Sequence, residues 1–271
     1  EMCDSDWSSD VCSSDLFRSC SAHAALRDAM PPTDTSSRTD AIATRLDQIR
    51  ERVATACDRA GRDPSEITIV AVSKTFPLDV VEAAQAVGLH QFGENRAREL
   101  RDKARERPGE VNGGDIIWRF MGHLQRNKAK FIARHADVFD ALDSPRLAKE
   151  LDKRAAKNDR VLPCLVQVNI TEQDRKYGIL PDDVHDFLDA CAQYDNLSIR
   201  GLMAMAKYIE EPSDREVVRQ QFRRMRELFD TYNASATDGV RMDTLSLGMT
   251  NDLEIAIEEG STMIRPGSGI F

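Results

Sequence analysis

A lysine closes a run that has no polar face: Ile67-Thr-Ile-Val-Ala-Val-Ser-Lys74-Thr75. Five of the six residues from Ile67 to Val72 are apolar, the pattern of a parallel strand buried on both sides. At an ordinary pKa of about 10.4, only roughly one lysine in 2,500 is neutral at pH 7. Burial in an apolar pocket raises that fraction and leaves an amine able to attack a carbonyl, so Lys74 is a candidate Schiff-base lysine. A strand-end lysine whose stem packs while its head reaches water is the structural alternative. Far along the chain, Ser246-Leu-Gly-Met249 and Arg265-Pro-Gly-Ser-Gly269 bring together hydroxyls, a guanidinium and glycines that admit close backbone approach. Gly248, Gly267 and Gly269, with Ser246 and Ser268, read as a phosphate cradle. Thr250 or Asn251 is expected to cap the next helix and turn its N–H groups toward an anion. Each glycine alone is more often just a turn or helix stop. An amine and an anion cradle together point to a phosphorylated carbonyl compound, and pyridoxal phosphate fits that pairing.

These residues need a scaffold that gathers them. Apolar residues Ile42, Leu46, Ile49 and Val53 predict a long amphipathic helix over 39–60, closed by Gly61. Strands are then expected at 67–72, 90–92, 116–121, 138–141, 162–169, 197–203, 242–247 and 262–265. Helices fill the intervals, among them 78–87, 145 onward, 181–191, 213–232 and one starting near Asn251. Eight strands and eight helices, counting the leading one, predict a single (β/α)8 TIM barrel with an extra N-terminal helix. A doubly wound open sheet is the alternative. In a barrel the strand carboxyl ends share one rim, and Lys74, Asn95, Met203, Ser246 and Arg265 all fall there.

Composition bounds the partners. The net charge of −9 argues against nucleic acid or an anionic membrane surface. The hydrophobic fraction of 41% supports a core, and no apolar run approaches bilayer-spanning length. Residues 1–29 hold three of the six cysteines and two Ser-Ser-Asp repeats, and they resemble a translated sequencing adapter ahead of a start at Met30. Without them the balance is 35 basic against 40 acidic, or −5. Residues 1–38 are therefore expected to lie outside the fold, with 39–271 forming the barrel. Cys57, Cys164 and Cys191 have neither paired nor metal-ligand spacing, and they read as reduced buried thiols of a cytoplasmic protein. No metal constellation stands out among the histidines. Trp118 and Phe120 are expected to pack the barrel.

Six segments in register carry a resemblance: Val72-Ser-Lys-Thr75, Phe92-Gly-Glu-Asn95, Trp118-Arg-Phe-Met-Gly-His-Leu-Gln-Arg-Asn-Lys128, Gly201-Leu-Met203, Leu245-Ser-Leu-Gly-Met249 and Met263-Ile-Arg-Pro-Gly-Ser268. From about Ile42 to Phe271 the chain resembles the pyridoxal phosphate homeostasis protein family, single barrels similar to the N-terminal domain of alanine racemase. The resemblance implies that Lys74 carries the cofactor as an internal aldimine. It implies that Ser246, Gly267 and Ser268 hold the phosphate beside Gly248, and that Arg265 faces the pyridine nitrogen. Asn95 would sit near the ring hydroxyl, with Met203 and Met249 lining the ring. The chain departs from the family wording at Arg119, where histidine often stands, at Pro266 and Ser268 in the final motif, and at Tyr177. It also stops at Phe271, earlier than the family's usual end.

A guanidinium opposite the pyridine nitrogen cannot accept a proton, so it weakens the ring as an electron sink. In alanine racemases a second acid/base comes from an additional C-terminal domain, which this sequence is not expected to contain. These points favour a carrier that stores or delivers pyridoxal phosphate, with PLP-dependent apo-enzymes as possible recipients, and the acidic composition without an evident apolar seam favours a monomer. The alternative is a fold-type III racemase or decarboxylase with Tyr177 or Tyr208 as the second base. A third class is an aldolase-like barrel using Lys74 on a sugar phosphate. Lys176, in the loop after the fifth strand, is a further candidate for cofactor hand-over.

Overall fold

A computed structural model describes residues 35–171, 177–235 and 242–271. Residues 1–34 of the N-terminal stretch set apart above, and Lys176, lie outside those residues, while residues 35–38 of that stretch belong to the first helix. The leading helix α1 (Thr35–Ala60) begins four residues before the expected start at Thr39. Its buried stripe of Ile42, Leu46, Ile49, Val53, Ala56 and Cys57 keeps the three-and-four spacing of one helical face.

The strand that ends at Lys74 is split. Its first half, β1 (Thr68–Ile69), and its second half, β2 (Ala71–Val72), pair with different neighbours. There follow α2 (Leu78–Ala86), β3 (Gln91–Glu94), α3 (Ala97–Glu106), β4 (Ile117–Phe120), α4 (Ala129–His135), β5 (Val138–Leu142) and α5 (Pro145–Ala156). The second half of the chain supplies β6 (Leu162–Val168), α6 (Val184–Cys191), β7 (Leu197–Ala204), α7 (Asp214–Ser235), β8 (Thr244–Ser246), α8 (Leu253–Glu258) and β9 (Met263–Ile264). The order is β1-β9-β8-β7-β6-β5-β4-β3-β2, and every pairing is parallel. Since β1 and β2 are halves of one strand, the sheet returns on itself as an eight-stranded barrel. Helix α1 lies against both α2 and α8 and covers the seam where the ring closes.

Strand alternation sorts the side chains. Phe92 meets Trp118 with ring centroids 6.0 Å apart, and Phe120 meets Phe139 at the same separation. Trp118 donates through Nε1 to the Arg107 carbonyl at the end of α3, so this aromatic row faces outward to the helices as a packing layer. The intervening residues, Gly93, Arg119 and Asp140, face the barrel interior. Cys57, Cys164 and Cys191 are all buried, and burial pushes the Cys191 thiol up to about 12. Such thiols are poor nucleophiles. Among the described residues no helix is long and apolar enough to cross a membrane.

Candidate functional site

Val70 and Val72 face inward. Val70 Cγ1 lies 3.5 Å from where a Gly93 Cβ would stand, and Val72 lies the same distance from the corresponding point on Gly267. Alternation continues that row to Lys74. Beyond Val72 the ladder gives way to a tight turn: Ser73 N–H donates to the Gly93 carbonyl at 3.0 Å, and Phe76 N–H returns to the Ser73 carbonyl at 3.1 Å. Lys74 is the second residue of this turn and is exposed, so the desolvated amine expected from the apolar run is instead a solvated one at the barrel mouth. The run is apolar because its strand is buried; the turn carries the lysine beyond it. Thr75, the third residue, has φ +69°, a left-handed conformation that glycine or asparagine usually takes there. For a β-branched side chain this costs roughly 1–3 kcal/mol.

Two glutamates and a lysine hold that turn. Glu94, fully buried at the end of β3, accepts through Oε1 from the Ser73 hydroxyl at 2.6 Å and from Lys103 Nζ at 2.6 Å. Lys103 Nζ also donates to the Ser73 carbonyl at 3.0 Å and to Glu99 Oε1 at 2.9 Å. The same Glu99 oxygen accepts the Thr75 N–H at 2.7 Å. Glu94 Oε2 is buried without a hydrogen-bond partner. Burial pushes the Glu94 carboxyl up to about 7 against the opposing pull of the Lys103 ammonium. A cleft of about 410 Å³ opens beside the turn, lined by Thr75, Phe76, Leu78, Glu99 and Lys103 among others, and it takes in none of the cradle residues.

On the far side of β1 and β2, Arg265 is 4% exposed and donates to the Ser246 hydroxyl through Nη1 and to the Ala204 carbonyl through Nη2. Both partners are neutral. Burial lowers the guanidinium to about 10, with Asp140 and Asp252 pulling it back up, so it is charged at neutral pH. Met203 and Ser246 are register partners across β7 and β8, and the Arg265 N–H binds the Gly248 carbonyl at 2.9 Å. Gly248 needs its glycine: φ is +87°, and a Cβ would stand 2.6 Å from that of Ala256. Val72 N–H binds the Pro266 carbonyl at 2.9 Å, which ties the Arg265–Gly269 turn to the lysine's strand. Thus Met203, Ser246, Gly248, Arg265 and Gly267 are joined by backbone or side-chain contacts to the strand bearing Lys74. Asn95, Met249 and Ser268 are exposed at the ends of β3, β8 and β9.

The expected helix cap is different. Asp252, not Thr250 or Asn251, is the N-cap, and α8 has only six residues. Asp252 is buried and takes the Met249 N–H at 2.6 Å, so that donor is already used. Thr250 instead accepts the Gly269 N–H at 3.2 Å, while its carbonyl binds Arg52 of α1 at 2.7 Å. Both cradle loops are thereby pinned together and to the leading helix.

Sequence reasoning missed the charges inside the barrel. Arg119 and Asp140 form a bidentate pair at 2.8 and 2.7 Å; Asp140 has no exposed surface and Arg119 has 6%. The signal was the spacing of Trp118-Arg-Phe120 and Phe139-Asp-Ala141, where alternation turns a charge inward when the aromatics face out. Tyr177 stacks on His123 with centroids 3.7 Å apart, and His123 Nδ1 meets Asp143 at 3.2 Å. Tyr208 is exposed, with its hydroxyl 3.2 Å from Asn251 Nδ2. Among the described residues no group of three or more His, Cys, Asp or Glu side chains could hold a metal ion.

The chain is similar in sequence and fold to known proteins. The model of the alanine racemase N-terminal domain matches residues 44–271. A pyridoxal phosphate homeostasis protein from Aquifex aeolicus is 36% identical over 227 residues, covering 84% of this chain and 96% of that one. Its counterpart in Escherichia coli K12 is 37% identical over 230 residues, covering 85% and 95%. The chain belongs to the pyridoxal phosphate homeostasis protein family. A solved member of comparable likeness is PipY of Synechococcus elongatus, whose structure without pyridoxal phosphate is 31% identical with a TM-score of 0.73, covering 85% of this chain and 99% of that one. The form with pyridoxal phosphate bound is 30% identical with a TM-score of 0.70 and the same coverage. Outside the family, alanine racemase from Corynebacterium glutamicum shares the fold at 20% identity, with a TM-score of 0.58, covering 86% of this chain and 61% of that one.

Proposed function

We propose that this chain binds pyridoxal 5′-phosphate at Lys74 and buffers or delivers it, with little or no turnover of its own. The observation that carries this reading is the buried Arg265 guanidinium, whose partners among the described residues are a hydroxyl and a carbonyl. A buried cation with neutral partners is costly, and its remaining N–H donors suit a ring nitrogen that accepts a hydrogen bond. Gly267 leaves the backbone bare where a phosphate would approach and Gly248 lets the turn after β8 pack close on α8, with Ser246 and Ser268 supplying hydroxyls. Asn95 would meet the ring hydroxyl, and Met203 and Met249 would flank the ring. When bound, the cofactor supplies an electrophilic aldehyde and an anionic tail.

Arg265 separates carrier from enzyme. With its pKa near 10 the guanidinium holds its own protons at neutral pH and has none to take up. A ring nitrogen facing it stays unprotonated and draws electrons weakly. Among the described residues, the tyrosines offered as a second base meet a ring and an amide: Tyr177 lies on the His123 ring and Tyr208 meets Asn251. Among the described residues, the exposed large apolar side chains Val111, Val161 and Val217 sit on separate segments, which favours a monomer, while Tyr177, Leu180, Met205, Tyr208 and Met249 lie in the loops after β6, β7 and β8 at the barrel mouth. Apo-enzymes of the cytoplasm are the recipients this reading assigns.

The test is an absorption spectrum of the protein mixed with pyridoxal phosphate, followed by borohydride. The expected result is a near-UV/visible band fixed by reduction onto the peptide holding Lys74 and missing in Lys74→Ala. An unchanged band in that variant would refute the reading. Incubation of the loaded protein with L-amino acids in deuterated water then separates the two classes, since rapid loss of the α-proton signal would make it an enzyme.

A further inference from the structure

The turn that carries Lys74 has one backbone bond of its own, from Phe76 N–H to the Ser73 carbonyl, set against a strained residue. Thr75 sits at φ +69°, and no glycine or asparagine is there to relieve it. On each side of Lys74 a backbone group is gripped by the same pair of side chains from α3. The Ser73 carbonyl takes Lys103 Nζ at 3.0 Å, and the Thr75 N–H gives to Glu99 Oε1 at 2.7 Å. Lys103 and Glu99 are one helical turn apart and bonded to each other at 2.9 Å, so they act as a single bracket. Lys103 is further locked by Glu94, which also holds the Ser73 hydroxyl. The Lys103 side chain is 9% exposed and that of Glu99 is 20% exposed.

We propose that Glu99 and Lys103 are positioning residues: they clamp the Ser73–Phe76 turn in its left-handed form and so aim the Lys74 amine at the incoming aldehyde. This rests on the cofactor reading above. Neither side chain touches the cofactor in this account. They act through two backbone atoms, and what they set is the direction of Lys74. Without the bracket Thr75 relaxes toward negative φ, because the Phe76 N–H to Ser73 carbonyl bond alone then has to hold a β-branched residue left-handed. The peptide between residues 74 and 75 then rotates, and the lysine leaves the line of the inward row.

The test is the rate at which the absorption band forms when pyridoxal phosphate is mixed with wild type, Glu99→Ala, Thr75→Gly and the double variant, each checked for cooperative unfolding. Glu99→Ala is expected to capture the cofactor about tenfold more slowly. Thr75→Gly is expected to restore the double variant to within about twofold of wild type, since glycine takes positive φ without cost. A purely structural role for Glu99 would not be rescued by a change of backbone preference at residue 75. Capture by Glu99→Ala at the wild-type rate, or failure of Thr75→Gly to rescue it, overturns the clamp and leaves the carrier reading standing. A wild type that forms no band at all removes the carrier reading, and the clamp with it.

Discussion

Replacing Glu94 with glutamine should remove one identifiable part of the pH dependence of stability. Glu94 has no exposed surface, one oxygen shared by Ser73 and Lys103, and one oxygen without a partner. Burial lifts its carboxyl from 4.5 to about 7. Because the folded value lies above the unfolded one, this group favours the folded state when protonated. Its contribution is complete below about 4.5 and is lost as pH climbs to about 7. The gap corresponds to roughly 3 kcal/mol, most of it falling between pH 5 and 7. Glutamine keeps a carbonyl oxygen for Ser73 and Lys103 and does not ionise. Urea unfolding of both proteins at intervals from pH 5 to 8 isolates the effect, because every other titrating group cancels in the difference. The variant should gain on the wild type by roughly 2–3 kcal/mol across that range. A constant difference would mean that Glu94 does not titrate there. A gain by the wild type would mean that the Lys103 ammonium outweighs burial.

Other outcomes follow from the same contacts. Asp140→Asn strips the buried Arg119 of its counter-charge close to Arg265 and should destabilise by about 3 kcal/mol in urea titration. Gly201→Ala should lower stability by about 2–3 kcal/mol, since its Cβ would stand 1.7 Å from the Thr244 carbonyl oxygen of the next strand. Ser246→Ala removes an acceptor from Arg265 and should raise the dissociation constant for pyridoxal phosphate roughly tenfold by equilibrium dialysis.

The barrel was legible because its strands are continuous apolar runs and its helices carry three-and-four stripes. Errors fell at the ends: the expected strand over 242–247 pairs only at Thr244–Ser246, and that over 262–265 only at Met263–Ile264. Hydrophobicity marks burial, and residues beyond the last ladder bond are still buried. The split between β1 and β2 leaves no trace in a run of apolar residues. Charges were harder to read. Lys103 sits among Arg98, Glu99, Arg101, Asp102 and Arg105, so a buried ammonium looks like one more surface cation. Arg265 and the glycine-serine turn stood out because their neighbours are not charged. The strain at Thr75 had no signal, since left-handed turns announce themselves through glycine or asparagine and this one has neither.

Thr68 pairs with Met263, so the strand nearest the start of the fold finds its partner in the last one. A ribosome delivers the first of these long before the second. Throughout synthesis the nascent sheet must wait with an unpaired margin of backbone amides and carbonyls, a surface prone to joining other chains. Helix α1 emerges early, but Arg52 and Arg62 find Glu254, Thr250 and Ser261 only when that closing strand is due. The growing polypeptide is therefore most in need of a chaperone just before β9 is added.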